Sequence, residues 1–409
     1  MAQLLLKFLL GKLTFSVLSL TLTLTLIRTL SEDDFGKYSL FFSLISLISV
    51  VFYGWARLAF TRKYINLRSK FSLINCCILN GKSTIILILL SFITCILYHI
   101  VEFDYIYLFL FVIPITIGLT DFFNEINRVE KKSITYSVVS AIRVFVTFFL
   151  LCFFSKIKGE SLSIADVIEF ILFSSCISLF FSSALFYKAT KYRPKSVNVK
   201  LDKILFRYGF PLSASLIVSF LIFNSDKYLI TYFYDTSTLG RYSSVQMLVQ
   251  FGVNLLLSTF SLVWNPHIFK VVKETGVDKA IAKHRKNSIN YLYFFLVSSV
   301  FVFFIGHWLF SVFGIDNEFS GSLELLLIFA SFFFVYFKVY YLDLFYQITN
   351  ETRIIFYNNI ILFILNMIIG LLLIPIFGAI GGAISTLLSS FILVVYIVIS
   401  INRRDFSFS

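Results

Sequence analysis

Apolar runs of about twenty residues recur along this chain from one end to the other, and short polar turns separate them. Wound as an α-helix at about 1.5 Å per residue, such a run matches the ~30 Å hydrocarbon core of a bilayer. In lipid the backbone must satisfy its own hydrogen bonds, which leaves runs of this length only the helix. Composition agrees. Of the 409 residues, 58% are hydrophobic and 14% charged, where a soluble domain holds about 45–50% and about 25%. No polar stretch reaches the roughly 50 residues of a separate soluble domain. The expected fold is an all-α integral membrane protein with about 12 transmembrane helices, near 4–27, 38–60, 83–101, 105–123, 134–154, 167–187, 204–224, 242–264, 289–310, 322–347, 354–376 and 380–401.

Loop charge sets the orientation, because basic loops stay on the cytoplasmic side. Segments 61–82, 124–133, 188–207, 270–286, 348–353 and the tail from 402 hold 24 Lys and Arg. The alternate loops hold 6, against 11 Asp and Glu. Both termini are therefore expected to be cytoplasmic. The net charge of +13 then belongs to these loops rather than to a nucleic-acid surface. Lysines precede the first apolar run, as in a signal peptide, but the run is long and lacks a clear small-x-small site, so it reads as a retained span.

The longest basic link, 188–203, divides the chain into an N-terminal six-helix lobe (1–187) and a C-terminal six-helix lobe (204–409). The lobes start on the same side, as parallel repeats do. Phe8–Ser39 and Phe206–Ser243 read as two copies of one pattern: an apolar helix, an acidic turn, then Gly-basic-Tyr-Ser opening the next helix. Gly36-Lys37-Tyr38-Ser39 aligns with Gly240-Arg241-Tyr242-Ser243. Pro114 and Gly118 fall inside the fourth helix and predict a kink. Gly378 and Gly382 have the spacing that lets helices approach closely.

Signals for covalent chemistry are weak. Asn80-Gly81-Lys82-Ser83 looks like the end of a phosphate-binding loop, but Cys76 stands where its first glycine belongs and no strand precedes it. His99, His267, His284 and His307 are scattered without metal spacing, and the five cysteines read as buried thiols. Asp33 and Asp34 lie in a short exterior turn. A transporter rather than an enzyme is expected, with no metal or cofactor and with a proton or sodium gradient, or the substrate's own gradient, as energy source.

Ionisable groups inside spans are then the informative residues, since each costs roughly 2.5–3.5 kcal/mol at the bilayer centre. They are Arg57, Asp121, Arg143, Glu169, Glu324, Lys338 and Asp343. Arg143 is the deepest, near the middle of its run. Lys338 stands among Tyr336, Tyr340 and Tyr341, and Arg57 beside Trp55. Arginine offers a planar fork to phosphate oxygens and lysine a point charge. Arg143, Lys338 and Arg57 are thus candidates for binding a diphosphate or sugar. The alternative is structural pairing, such as Lys338 with Asp343 or Arg143 with a carboxylate on another helix. Asp121, Glu125 and Arg128 share one helix face and form either an ion ladder or a gate. Asn224 and Asp226 are candidates for ion coupling or for capping a helix break.

Arg28 to Tyr38, Tyr208-Gly-Phe-Pro-Leu, Asn224-Ser-Asp-Lys-Tyr-Leu-Ile, Leu239-Gly-Arg-Tyr-Ser and Asn366 to Ala383 together resemble the polysaccharide-transporter branch of the multidrug/oligosaccharidyl-lipid/polysaccharide (MOP) exporter superfamily, the Wzx-type O-antigen flippases. That resemblance implies a MATE-like pair of six-helix lobes around a central cavity, open alternately to each side. It implies a multi-pass bacterial inner-membrane protein that turns undecaprenyl-diphosphate-linked oligosaccharides across the membrane, working with a polysaccharide polymerase and a chain-length regulator. A polymerase or ligase of the same pathway would want a large exterior loop, and these loops are short. A cation-coupled exporter of the superfamily would want embedded carboxylates to dominate, whereas the deepest charge is Arg143.

Overall fold

A computed structural model of the chain describes residues 2–67, 73–101, 108–129, 132–158, 162–189, 200–288, 322–349 and 351–403, with Tyr291, Tyr293, Val297, Phe304 and Trp308 between them. The regular structure of these residues is all helical. The helices are α1 (Ala2–Thr29), α2 (Glu32–Leu67), α3 (Leu73–Val101), α4 (Phe109–Val129), α5 (Ser133–Lys158), α6 (Ile164–Ala189), α7 (Lys200–Phe233), α8 (Thr236–Thr275), α9 (Val277–Lys286), α10 (Ser322–Phe337), α11 (Asp343–Ile348), α12 (Thr352–Phe377) and α13 (Ala379–Arg403). Residues 190–199 of the basic link and most of the helix expected near 289–310 lie outside the described residues, as does the side chain of Glu324.

Among the described residues, eight helical spans are long and apolar enough to cross a membrane, and Leu13–Thr29 and Asn80–Ile96 are shorter apolar stretches. Phe180, Tyr232, Leu372 and Ile376 turn large apolar surfaces outward. Water would not tolerate such a surface, and hydrocarbon does. The chain is a multi-pass membrane protein.

Local chemistry sets the helix starts. Ser31 caps α2: its Oγ accepts from the Asp34 N–H at 3.1 Å and donates to the Asp34 carboxylate at 3.1 Å, a reciprocal cap. Asp235 caps α8, where its carboxylate accepts from the Thr238 N–H at 2.6 Å. That N–H holds the Asp235 carboxyl below its ordinary pKa. The two caps stand at equivalent places in the repeated pattern.

The chain divides into two compact units, residues 1–30 with 37–220 and residues 31–36 with 221–409. In the first, α1 lies along α5, α4 lies against α3, α5 and α6, and α5 lies against α6. Thr116 and Ser175 share a hydrogen bond of 2.7 Å between α4 and α6, and Thr147 donates to Ser174 at 2.7 Å between α5 and α6. α4 stays helical through Pro114.

In the second unit, α13 packs on α10 and α12, and α10 on α8. Asn366 gathers three helices: its amide donates to Ser225 Oγ at 3.3 Å, and its Oδ1 accepts from Ser385 at 3.1 Å and Thr386 at 3.3 Å. The first turns of α2 and α8 meet face to face. A Cβ on Gly36 would overlap the Thr236 carbonyl, and one on Gly240 would overlap the Glu32 carbonyl. Arg241 Nε donates to Glu32 Oε2 at 2.7 Å, Ser237 donates to the same oxygen at 2.9 Å, and Thr236 donates to Asp33. Gly378 takes φ +59° at the end of α12. On α13, a Cβ on Gly382 would press on Ile230 and meet Asp226 and Tyr242, and one on Gly381 would overlap the Leu373 backbone.

The helix expected over 322–347 is interrupted. Lys338–Leu342 forms a π-turn between α10 and α11. A wider turn leaves carbonyls without their usual α-helical partners. Two of these are met by side chains: Tyr291 OH donates to Tyr340 O at 3.3 Å, and His284 Nε2 lies 3.1 Å from Tyr341 O.

Candidate functional site

The first unit holds a cavity of about 180 Å³. One stripe of α2 supplies most of its wall, since Phe42, Ser46, Ser49, Tyr53 and Arg57 recur every three or four residues. Ile117, Gly118 and Asp121 come from successive turns of α4, and Arg143 from α5. The Tyr53 ring lies on Gly118, where a Cβ would overlap it. That ring explains the glycine better than a kink does. Tyr53 OH is fixed by Thr84 Oγ1 at 2.9 Å.

Three predicted residues therefore converge. Arg57 Nη1 lies 3.4 Å from Asp121 Oδ2, with side chains 36% and 41% exposed. Arg57 lines the cavity together with this partner. The Arg143 guanidinium makes no hydrogen bond or ion pair with a described residue, while its backbone carbonyl is used by Thr147 at 2.9 Å. Two guanidiniums and one carboxylate leave the cavity with an excess positive charge. The hydroxyls of Ser46 and Ser49 line the same wall. An anion with several oxygens could accept from both arginines here, in low dielectric where each such bond is strong. The row from Asp121 splits: Asp121 faces Arg57, while Glu125 takes Arg128 Nε at 2.9 Å.

The remaining candidates belong to the second unit. Lys338, 1% exposed, lies 3.0 Å from Asp343 Oδ2 and donates to Asn359 Oδ1. The π-turn sets residues five apart side by side, which makes this pair possible. Asp226 is buried and accepts from Tyr242 OH, from Gln246 Nε2 at 3.3 Å and from the Lys227 N–H at 3.0 Å. Asn224, half-buried, stands on α7 just before Asp226. Glu169 is exposed. Among the described residues no group of His, Cys, Asp and Glu is arranged to hold a metal ion. Reading ionisable groups alone missed Ser46, Ser49 and Tyr53; their helical spacing ahead of Arg57 was the available signal. It also missed Tyr242, which the repeated motif marks.

Residues 6–272 match the family described as polysaccharide biosynthesis protein. No curated protein sequence matches the chain. Among solved structures the fold is similar to lipid II flippase MurJ in an inward closed conformation (TM-score 0.72, 17% identity, 97% of this chain and 87% of that one). It is similar to a multidrug resistance MATE family transporter of the MOP superfamily in an inward-facing conformation (TM-score 0.66, 13% identity, 96% and 98%). It is also similar to a MOP superfamily transporter from Pyrococcus furiosus (TM-score 0.61, 13% identity, 98% and 95%).

Proposed function

Because this chain belongs to the polysaccharide biosynthesis protein family, we propose that it is a flippase for undecaprenyl-diphosphate-linked oligosaccharide repeat units of O-antigen or capsule. It works by alternating access in a bacterial inner membrane. The observation that carries this reading is the Arg143 guanidinium in the first unit's cavity, unpaired among the described residues and sharing that cavity with Arg57. An unpaired guanidinium costs several kcal/mol in a membrane, and a diphosphate offsets that cost. The polyprenyl tail stays in lipid while the headgroup crosses. No bond is made or broken.

Twelve spans with cytoplasmic termini fit this role. Eight long spans and two shorter ones are joined by α8 and by the apolar run near 289–310. A polysaccharide polymerase and a chain-length regulator would receive the product. Lys338 serves the same anionic cargo if its pair with Asp343 opens. A proton or sodium gradient drives the cycle through Asp226 and Asn224, with Asp121 gating Arg57. The likeness to MATE transporters together with the buried Asp226 carboxylate favours a second reading, a cation-coupled small-molecule exporter.

Leaflet-resolved detection of lipid-linked sugar separates the two. Arg143→Ala is expected to leave repeat units on the inner leaflet and to abolish surface glycan, with normal insertion of the protein, while Arg143→Lys keeps part of the activity. Unchanged surface glycan in Arg143→Ala cells would remove Arg143 from the mechanism. Loss of drug efflux with intact glycan would favour the exporter.

A further inference from the structure

A second cationic feature stands outside the spans. α8 ends at Thr275, Gly276 turns the chain at φ +91°, and α9 follows over Val277–Lys286. One face of α9 is spent on the protein, with Ala280, Ile281 and His284 buried. His284 fixes the rotation of the helix. Its Nδ1 accepts from Trp264 Nε1–H at 3.0 Å, and Nε2 meets Tyr341 O at 3.1 Å. Tyr341 and Phe345 lie against the ring, with centroids at 4.6 and 4.5 Å. With both nitrogens committed, the imidazole is neutral and adds no charge.

The opposite face is then dictated. Lys279, Lys283 and Lys286 follow i, i+4, i+7 spacing and are exposed; Arg285 is exposed on the flank of the helix. Lys270 and Lys273 extend this surface along the last turns of α8, against the two acids Glu274 and Asp278. Lys270 and Glu274 lie 3.5 Å apart and offset each other. The three lysines of α9 form no ion pair with a described residue.

What lies opposite such a face depends on its height. Phe269 before it and Tyr293 after it turn 42% and 73% of their surfaces outward. Exposed tyrosines are enriched where hydrocarbon gives way to headgroups. The cationic face precedes such a residue, Tyr293, in the chain. Its apolar side is already buried in the protein, so α9 has nothing left to insert into acyl chains. We infer that α9 docks the anionic phosphate headgroups of the surrounding membrane, through Lys279, Lys283 and Lys286, as an electrostatic collar at the foot of the second unit. Binding of this kind depends on headgroup charge and falls with salt, and it is indifferent to acyl chain length.

The test uses the full chain purified in a neutral detergent. Short-chain phosphatidylglycerol or phosphatidylcholine is added, and thermal unfolding and native mass spectrometry report binding. The wild type is expected to gain stability from phosphatidylglycerol alone, and to lose that gain in high salt. Lys279→Gln/Lys283→Gln/Lys286→Gln is expected to unfold normally in phosphatidylcholine and to bind phosphatidylglycerol about tenfold more weakly or worse. The triple Lys→Arg variant keeps the affinity. Equal phosphatidylglycerol titrations of wild type and Gln variant overturn the inference, and so does a salt-independent wild-type gain. Loss of a co-purifying acidic protein from the Gln variant, with its lipid titration unchanged, would assign the face to a protein instead.

Discussion

His284 shows what one side chain can fix. In the sequence it is a histidine without metal spacing, inside the basic segment 270–286. In the structure it ties three elements together, α8 through Trp264, α9 through its own backbone and the π-turn through Tyr341 O. Burial holds its pKa at about 4, below the ordinary 6.5, and the faces around it are aromatic: Trp264, Tyr291, Tyr341 and Phe345. The sign follows from linkage. Between about 6.5 and about 4 the unfolded histidine is protonated and the folded one is not, so the unfolded state binds more protons. The docking of α9 is at full strength above about pH 6.5 and weakens as pH falls to about 4, by an amount of order 3 kcal/mol. Thermal unfolding in detergent across that window should show this slope in the wild type and lack it in His284→Gln. An equal slope in both would place the titration elsewhere. Arg143 and Lys338 make the complementary point. Both are single basic groups in apolar runs, and nothing in the runs says that one lines a cavity while the other sits in a buried pair. The pairing of Lys338 with Asp343 is one of the readings the sequence offers; the π-turn and Asn359 that complete it are not announced by adjacent apolar sequence.

At the scale of elements, the helices were readable and their junctions were not. Among the described residues, length and apolarity located eight long spans and two shorter apolar stretches, because lipid leaves the backbone no alternative. The π-turn leaves no mark in the sequence, because a single extra residue does not disturb a run that is apolar on all sides. The repeated Gly-basic-Tyr-Ser motif was visible, but its purpose is a contact. Gly36 faces Thr236 O, and Gly240 faces Glu32 O, so the two copies interlock at the first turns of α2 and α8. Gly36→Ala and Gly240→Ala should each destabilise this junction by about 1–3 kcal/mol, the range for overpacking. The double variant should cost less than the sum of the two, because the first alanine already parts the backbones that the second would meet. Melting temperatures of the four proteins in detergent give the coupling. Strict additivity would mean that the two glycines do not share one contact.

For the whole molecule, the alternation of basic and acidic loops carried more than any motif, since it assigns sides without reference to contacts. It also makes a demand of α8. α8 runs from Asp235, an exposed cap on the acidic side, to the lysines of α9 on the basic side, and its 40 residues span about 60 Å. A helix of that length clears a ~30 Å hydrocarbon core with turns to spare. The two ends should therefore face opposite compartments. In a chain freed of its five cysteines, Asp235→Cys is expected to react with an impermeant maleimide on intact cells. Lys279→Cys is expected to react only after the membrane is opened. Both positions are exposed; Asp235 also caps α8, so a melting curve of each variant in detergent separates lost stability from a change of side. Reaction of both from one side would mean that α8 does not cross. A reversed pair would keep the crossing and invert the orientation. It would put the collar of α9 outside and the acidic caps in the cytoplasm, against the direction that 24 basic loop residues favour over 6.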